Sequence, residues 1–365
     1  MARLFRLAPI AVAVLSLSVT FSCHNGGSIV DPGESFNGGI VFALYYPGAG
    51  RVGSDICYID PDAPTPVTRT LIANAAQPRV SPDGRRIMFS RIDSISLDVY
   101  VSDIEGRNQV NITHTDWDFS EEVGDWSPDG LKVCYIARNR GTMKTAIVIA
   151  NPDGSNTTAI TDTSTFELAN LPRWSPDGSK IAFIGRDHGY DPYWLGVISV
   201  DGKDLRRFDQ VWYASPLWSP GGQSVACTKL VGGRYILHIL DVTTGQSSQL
   251  GPEYYMGNGS LFSWLSNDRL SCAAFHDSTR SVVCISLSPS TAVSEIAAGF
   301  RDIWTIVGSP GGERVAVMDG GIDTELSLYI AETGGSQSRR IASLHPSLDA
   351  VVDAHGYVAW IRGFK

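Results

Sequence analysis

Charge is scarce in this sequence. Only 18% of its 365 residues are charged, against roughly 25% in ordinary soluble domains. Basic residues are the scarcer sign, 29 against 38 acidic ones. Nucleic acids and anionic membrane surfaces both demand basic patches, so this balance argues against either as a partner. Histidines number seven and are scattered, and there are six cysteines. No Cys-x-x-Cys, His-Glu-x-x-His or Cys/His spacing occurs, so neither a metal site nor a cofactor is expected. No G-x-S-x-G elbow is present to mark a serine hydrolase. Long helical patterns are missing as well. What is abundant is glycine (37), proline (19) and apolar residues (43%), a composition that suits many short strands and tight turns.

Those turns repeat. Leu171-Pro-Arg-Trp-Ser-Pro-Asp-Gly-Ser-Lys-Ile-Ala-Phe-Ile-Gly-Arg186 reads as a strand ending in Trp174, a Ser175–Gly178 turn and a second strand over Ile181–Ile184. Proline presets φ at the first central turn position, aspartate caps its own backbone, and glycine accepts positive φ. The same unit stands at Arg79–Gly84, Asp125–Gly130 and Leu217–Gly222, with worn copies at Ser263–Asp268 and Ile306–Gly312. The turn serines 81, 127, 175, 219, 266 and 309 are 43 to 48 residues apart. A period of that size with four strands per unit predicts an all-β fold, a β-propeller of four-stranded antiparallel blades. In the second complete unit the strands are expected at 122–126, 132–137, 146–150 and 157–161.

The ends predict how the ring closes. Gly39–Tyr45, Asp55–Ile59 and Val67–Ile72 read as second, third and fourth strands with no first strand before them. Ala350–Trp360 reads as a first strand, a degenerate turn and a second strand. Six complete blades plus one shared by both termini make a seven-bladed ring, without a free sheet edge. Both ends offer a second strand, and the sequence does not choose between them. Six blades with extra strands is the alternative.

The first 22 residues read as a leader, with Arg3 and Arg6 before an apolar stretch over Leu7–Val19 that is short for a membrane span. Val19-Thr-Phe-Ser-Cys23 resembles a bacterial lipobox, which implies cleavage before Cys23 and acylation of its thiol. Ser22 fits that pattern, whereas Thr20 and Phe21 depart from it. An ordinary secretory signal cleaved nearby is the alternative. Residues 23–39 then form an acylated cysteine and flexible tether, and residues 40–365 one propeller domain. Loss of the leader leaves 27 basic and 38 acidic residues, a net charge of −11. Contact with the membrane is expected through the lipid alone, and the propeller is expected to be monomeric.

Cys57, Cys134, Cys227, Cys272 and Cys284 fall inside predicted strands. Symmetry of one hairpin about Ser278 places Cys272 opposite Cys284, a pair that an exported protein can oxidise. Buried free thiols are the favoured alternative.

The repeated Pro-x-Trp-Ser-Pro-Asp-Gly-x-x-Ile-Ala-Phe unit is similar to the WD-like propeller repeat of the TolB family, and the likeness covers nearly the whole chain after the leader. The resemblance implies the fold far more firmly than the function. It also implies a non-catalytic propeller of the bacterial envelope, since the family's propeller face engages a peptidoglycan-associated partner. TolB itself has an α/β domain before its propeller, for which the stretch His24–Gly39 leaves no room.

The turns at Asp83, Asp129 and Asp177 lack the ligand alternation of a calcium loop and are expected to be structural. The adjacent Glu121 and Glu122 are a poor glycosidase pair and are read as a solvated loop. Candidate contact residues cluster instead in the loops of the opposite, top face. They are Trp117, Asp118, Phe119 and Glu122, then His188, Tyr190, Tyr193 and Trp194. Further along come Trp212, Tyr213, Tyr254 and Tyr255, and finally Arg301, Asp302 and Trp304. Aromatics with a polar handle beside acids suit contact with a protein or an envelope glycan. The competing expectation is a propeller lyase or glycosidase acting in the channel, for which the loops of Glu122, His188 and Asp302 are the first places to look.

Overall fold

A computed structural model describes residues 39–46, 53–93, 96–113, 119–164, 167–189, 192–211, 215–231, 234–250, 261–276, 279–287, 291–320, 326–335, 337–344 and 358–361. These form seven four-stranded sheets, every neighbouring pair antiparallel, so the chain is a seven-bladed β-propeller. Blade 1 comprises Ala76–Val80, Arg86–Asp93, Ser96–Asp103 and Val110–Asn111. Blade 2 comprises Phe119–Trp126, Val133–Asn139, Thr145–Ala150 and Thr158–Ala159, within three residues of each boundary expected from the repeat. Blade 3 is Leu168–Trp174, Lys180–Arg186, Trp194–Ser199 and Leu205–Gln210. Blades 4, 5 and 6 open with Leu217–Trp218, Phe262–Ser266 and Ile303–Gly308 and are built alike. The first strands of successive blades lie against one another, so they line the central channel.

Blade 7 settles which terminus supplies which strand. Gly39–Tyr46, Gly53–Ile59 and Arg69–Ile72 are its second, third and fourth strands, and Val358–Ile361 pairs inside them as the first. The reading of the far C-terminal residues as a second strand is therefore corrected. Gly39–Tyr46 already pairs along its whole length with the third strand, Ile40 opposite Ile59 through Tyr46 opposite Gly53. The only open ladder is the inner one, taken by Gly39 to Phe42 opposite Ile361 to Val358. The leader, Cys23 and the tether lie outside the described residues.

The core sits between blades. Met88 and Val99 of blade 1 pack with Trp126, Val133 and Tyr135 of blade 2. Ile147 of blade 2 packs with Trp174 and Phe183 of blade 3, and Ala182 of blade 3 with Trp218 and Val225 of blade 4. The Ile-x-Phe element of the repeat supplies much of this. Ile40 and Phe42, Ile87 and Phe89, and Ile181 and Phe183 are completely buried, each side chain contributing about 1.5–3 kcal/mol. The repeat tryptophans bind blades together by hydrogen bonds as well. Trp126 Nε1 donates to the Arg79 carbonyl at 2.9 Å, Trp218 to Arg173 at 3.0 Å and Trp264 to Leu217 at 3.1 Å. Trp174 departs from the rule and donates to Gly178 in its own turn.

The turns between first and second strands are the devices expected from their sequence. Gly84, Gly130, Gly178, Gly222 and Gly312 all have φ between 68° and 74° and donate back to the turn serine carbonyl at 2.8–2.9 Å. The serine hydroxyl accepts from the backbone five residues on, as Lys132 N to Ser127 Oγ at 2.8 Å, and donates to the turn aspartate, as Ser127 Oγ to Asp129 Oδ1 at 2.6 Å. The Ser175 hydroxyl and Ser179 backbone hold the Asp177 carboxyl down to about 2. Each turn is thus satisfied internally.

The Cys272–Cys284 pairing is not realised. His276 stands opposite Thr279, which centres the hairpin between residues 277 and 278 and not on Ser278. Cys272 then faces Val283 and Cys284 faces Ser271, so the thiols lie on opposite faces of the blade. Both are free and buried, and burial pushes Cys272 up to about 12.

Candidate functional site

Connections from first to second and from third to fourth strands lie at one end of the ring, the turn face. Those from second to third strands and between blades lie at the other, the top face, where the candidate residues were expected. Trp117, Asp118, Tyr190, Trp212, Tyr213, Tyr254 and Tyr255 lie outside the described residues, as does the Phe119 side chain. The rest divide into packing residues and surface residues.

Two tryptophans are packing residues. Trp194 is 9% exposed and meets Phe183 edge-on at 5.6 Å. Its ring fills the space that a Cβ on Gly185 or Gly196 would occupy, which is why both flanking positions are glycine. Trp304 lies in the first strand of blade 6, half-buried against the blade 6–7 core, and donates to the Gly320 carbonyl. The Glu pair also departs from expectation. Phe119–Trp126 is one continuous strand, so Glu121 and Glu122 belong to the channel-lining ladder and not to a solvated loop. Glu121 is completely buried. Burial, and then the charge of Glu121, push Tyr135 up to about 12. Glu122 is half-buried and ion-paired with Arg138 at 3.0 Å.

At the surface, blade 3 presents an arginine–aromatic platform. Arg186 stacks over Tyr193 at 5.4 Å, and Arg207 over Trp194 at 4.3 Å while pairing with Asp187 at 2.8 Å. Glu167 anchors the loop between them, accepting from Gly189 N, and His188 is exposed beside it. The hairpin tips on either side are apolar and open to solvent: Met143 of blade 2 at 58%, and Leu230 and Val231 of blade 4 at 48% and 50%. Sequence reading missed these tips because single aliphatic residues in a turn carry no motif.

A second group lies between blades 5 and 6. Arg280 pairs with Asp302 and stacks over Phe275 at 5.0 Å. The buried Asp319 accepts from the backbones of Arg301 and Asp302 at 2.9 and 2.7 Å, and burial raises its carboxyl above the usual range. Glu122, His188 and Asp302 therefore stand on three different blades, and both carboxylates are ion-paired within their own neighbourhood. No group of three His, Cys, Asp or Glu able to hold a metal occurs among the described residues.

No family model and no curated protein matches this sequence. Solved structures do. TolB from Acinetobacter baumannii aligns over 87% of this chain and 81% of its own, at 15% identity and a TM-score of 0.53. The likeness is one of fold. An oligogalacturonate lyase in complex with manganese matches over 77% of this chain and 84% of its own, at 14% identity and a TM-score of 0.59. The β-propeller domain of the trilobed protease from Pyrococcus furiosus, which has an open velcro topology, matches over 83% and 95%, at 14% identity and a TM-score of 0.60. The present ring differs from an open one, because Val358–Ile361 closes it.

Proposed function

We propose that this chain is a lipid-anchored, non-catalytic binding propeller of the bacterial envelope, docking an envelope protein or glycan on its top face. The observation that carries the reading is the blade 2–4 sector. Tyr193, Trp194, Arg186 and Arg207 form a pre-packed platform, and Met143, Leu230 and Val231 stand exposed around it. Aromatic residues and arginine are the types enriched where interfaces concentrate their energy. Stacking restrains both arginines before any partner arrives, which lowers the ordering cost of binding. Cys23 would hold the domain to the membrane, following the leader's lipobox-like sequence.

Crosslinking capture from the native envelope tests the docking face. The folded variant Tyr193→Ala/Leu230→Glu should lose a partner that the parent captures, and retention of that partner would refute the assignment. Cys23→Ala should release the protein from the membrane fraction. If it stays there, acylation at that cysteine is wrong.

A further inference from the structure

One side chain breaks the apolar pattern of the seams between blades. Midway along each blade, one residue of the second strand and its partner on the third face the preceding blade. In blades 1, 3 and 7 the second-strand member is a completely buried phenylalanine, Phe89, Phe183 or Phe42. Blade 4 has Cys227 there, opposite His238. The third-strand member is tyrosine, valine, glycine or cysteine in the other six blades. Of all these side chains, only the histidine titrates near neutrality.

Directly opposed residues point to the same face of a sheet, so the imidazole shares the blade 3–4 seam with Cys227, which is 1% exposed. Both ring nitrogens are shut off from solvent, and neither has a hydrogen-bond partner among the described residues. On the same blade Lys229 Nζ reaches across to Ser247 Oγ at 3.0 Å, and Gln249 stands opposite the histidine on the fourth strand. Blade 3 presents Leu195, Val197 and Phe208 to this seam. Its cations there are Arg206, stacked over Phe208 and donating to the Val242 carbonyl, and Arg186, stacked over Tyr193 at the top end. The Asp209 and Arg234 side chains lie outside the described residues.

This place suits a neutral ring and not a charged one. Protonation turns both nitrogens into donors, with no acceptor to meet either and the Lys229 ammonium nearby. Burial, and then the charge of Lys229, accordingly lowers the pKa. A state in which the ring meets water binds the proton more tightly, so a fall in pH below the ordinary value of about 6.5 favours that state. Little holds the ring in. The fourth strand beside it, Ser247–Gln249, is three residues long and largely exposed. The hairpin that carries the histidine, Ser224–Val231 with Arg234–Asp241, also bears Leu230 and Val231 near its tip.

We propose that His238 is an acid-sensitive latch on the blade 3–4 seam: when its ring takes up a proton it turns out to solvent, and the outer strands of blade 4 part from blade 3. The hairpin then loosens, tip included. Release of a docked partner in acid follows, a step that rests on the docking face proposed above.

Hydrogen exchange of the full chain at pH 7.5 and 5.0, corrected for intrinsic rates and read by mass spectrometry, tests the latch. Peptides from the blade 4 hairpin should exchange about threefold faster or more at pH 5.0, while the blade 1 hairpin, Arg86–Asp93 with Ser96–Asp103, stays unchanged. His238→Phe, which supplies a ring that cannot titrate, should abolish the difference. If that variant fails to fold, NMR titration of the parent imidazole serves: its midpoint should lie below about 6.5, with exchange rising in step. Exchange in this hairpin that ignores pH, an equal rise in blade 1 or in His238→Phe, or a midpoint at or above 6.5 would each overturn the latch, whether or not a partner docks. Crosslinked partner recovered from the envelope should fall at pH 5.0 for the parent and not for His238→Phe. Full recovery by the parent at pH 5.0, despite faster exchange, would overturn the coupling to docking alone.

Discussion

The two faces of the ring are built from the same strands yet reach order differently. On the turn face, five blades repeat one glycine conformation and one serine hydrogen-bond pattern, and each turn meets its polar needs alone. On the top face, connections differ in length and content from blade to blade. Order there comes from side chains of neighbouring strands, as where Arg207 lies over Trp194 and Glu167 holds Gly189. The turn face uses one repeated chemistry to close its strands, whereas the top face presents side chains that differ from blade to blade. That difference is the reason the proposed docking face is put on the variable end.

The largest break in this contrast comes from the turn glycines themselves. Gly312 and Gly178 share a φ of +71° and +74°, but a Cβ on Gly312 would lie 2.1 Å from the Leu265 carbonyl, whereas one on Gly178 would meet nothing closer than 3.7 Å. Gly312→Ala should lose about 3 kcal/mol, from strain and backbone overlap together. Gly178→Ala should lose about 1 kcal/mol, from strain alone. Urea denaturation of both variants measures the gap, and equal losses would mean that room at the turn is irrelevant.

Next comes Trp126→Phe, which keeps the wedge between blades 1 and 2 and removes its bond to Arg79. A loss of about 1 kcal/mol is expected, with no change in circular dichroism.

Acid should separate a turn carboxylate from a buried imidazole. The Asp177 carboxyl lies below its ordinary value, so its stabilisation is complete above about pH 4 and is lost as pH falls towards 2. Ser175→Ala should return its titration, followed by NMR, towards the usual aspartate range. His238 sits between blades 3 and 4, opposite Cys227, with no hydrogen-bond partner for either ring nitrogen among the described residues. Burial, then the charge of Lys229, lowers its pKa, so the unfolded chain takes up the proton first. Stability should fall as pH drops below about 6.5, and His238→Leu should flatten that slope.

The smallest effect on stability is expected at the top face. Tyr193→Ala should change the denaturation midpoint by less than about 0.5 kcal/mol equivalent while removing part of the proposed docking platform.

The repeat makes most of the fold legible in the sequence, because Ser-Pro-Asp-Gly encodes its own geometry and six registered copies fix the strand order. Closure was half legible. Both termini showed strand-like residues, but only pairing lengths reveal that Gly39–Tyr46 takes the second position and Val358–Ile361 the first. The site was less legible still. Composition cannot distinguish Trp194, which fills the space above two glycines, from Tyr193, which stands half-exposed one residue earlier.

The most direct test of the two-faced account uses exposed apolar residues present on both ends. Met143→Glu/Leu230→Glu alters the top face, and Val67→Glu/Leu131→Glu alters the turn face at residues 51% and 67% exposed. Crosslinked partner recovered from the envelope is then compared for the two folded variants. The account predicts loss of the partner in the top-face variant and full recovery in the turn-face variant. Loss in the turn-face variant, or recovery in both, would contradict it.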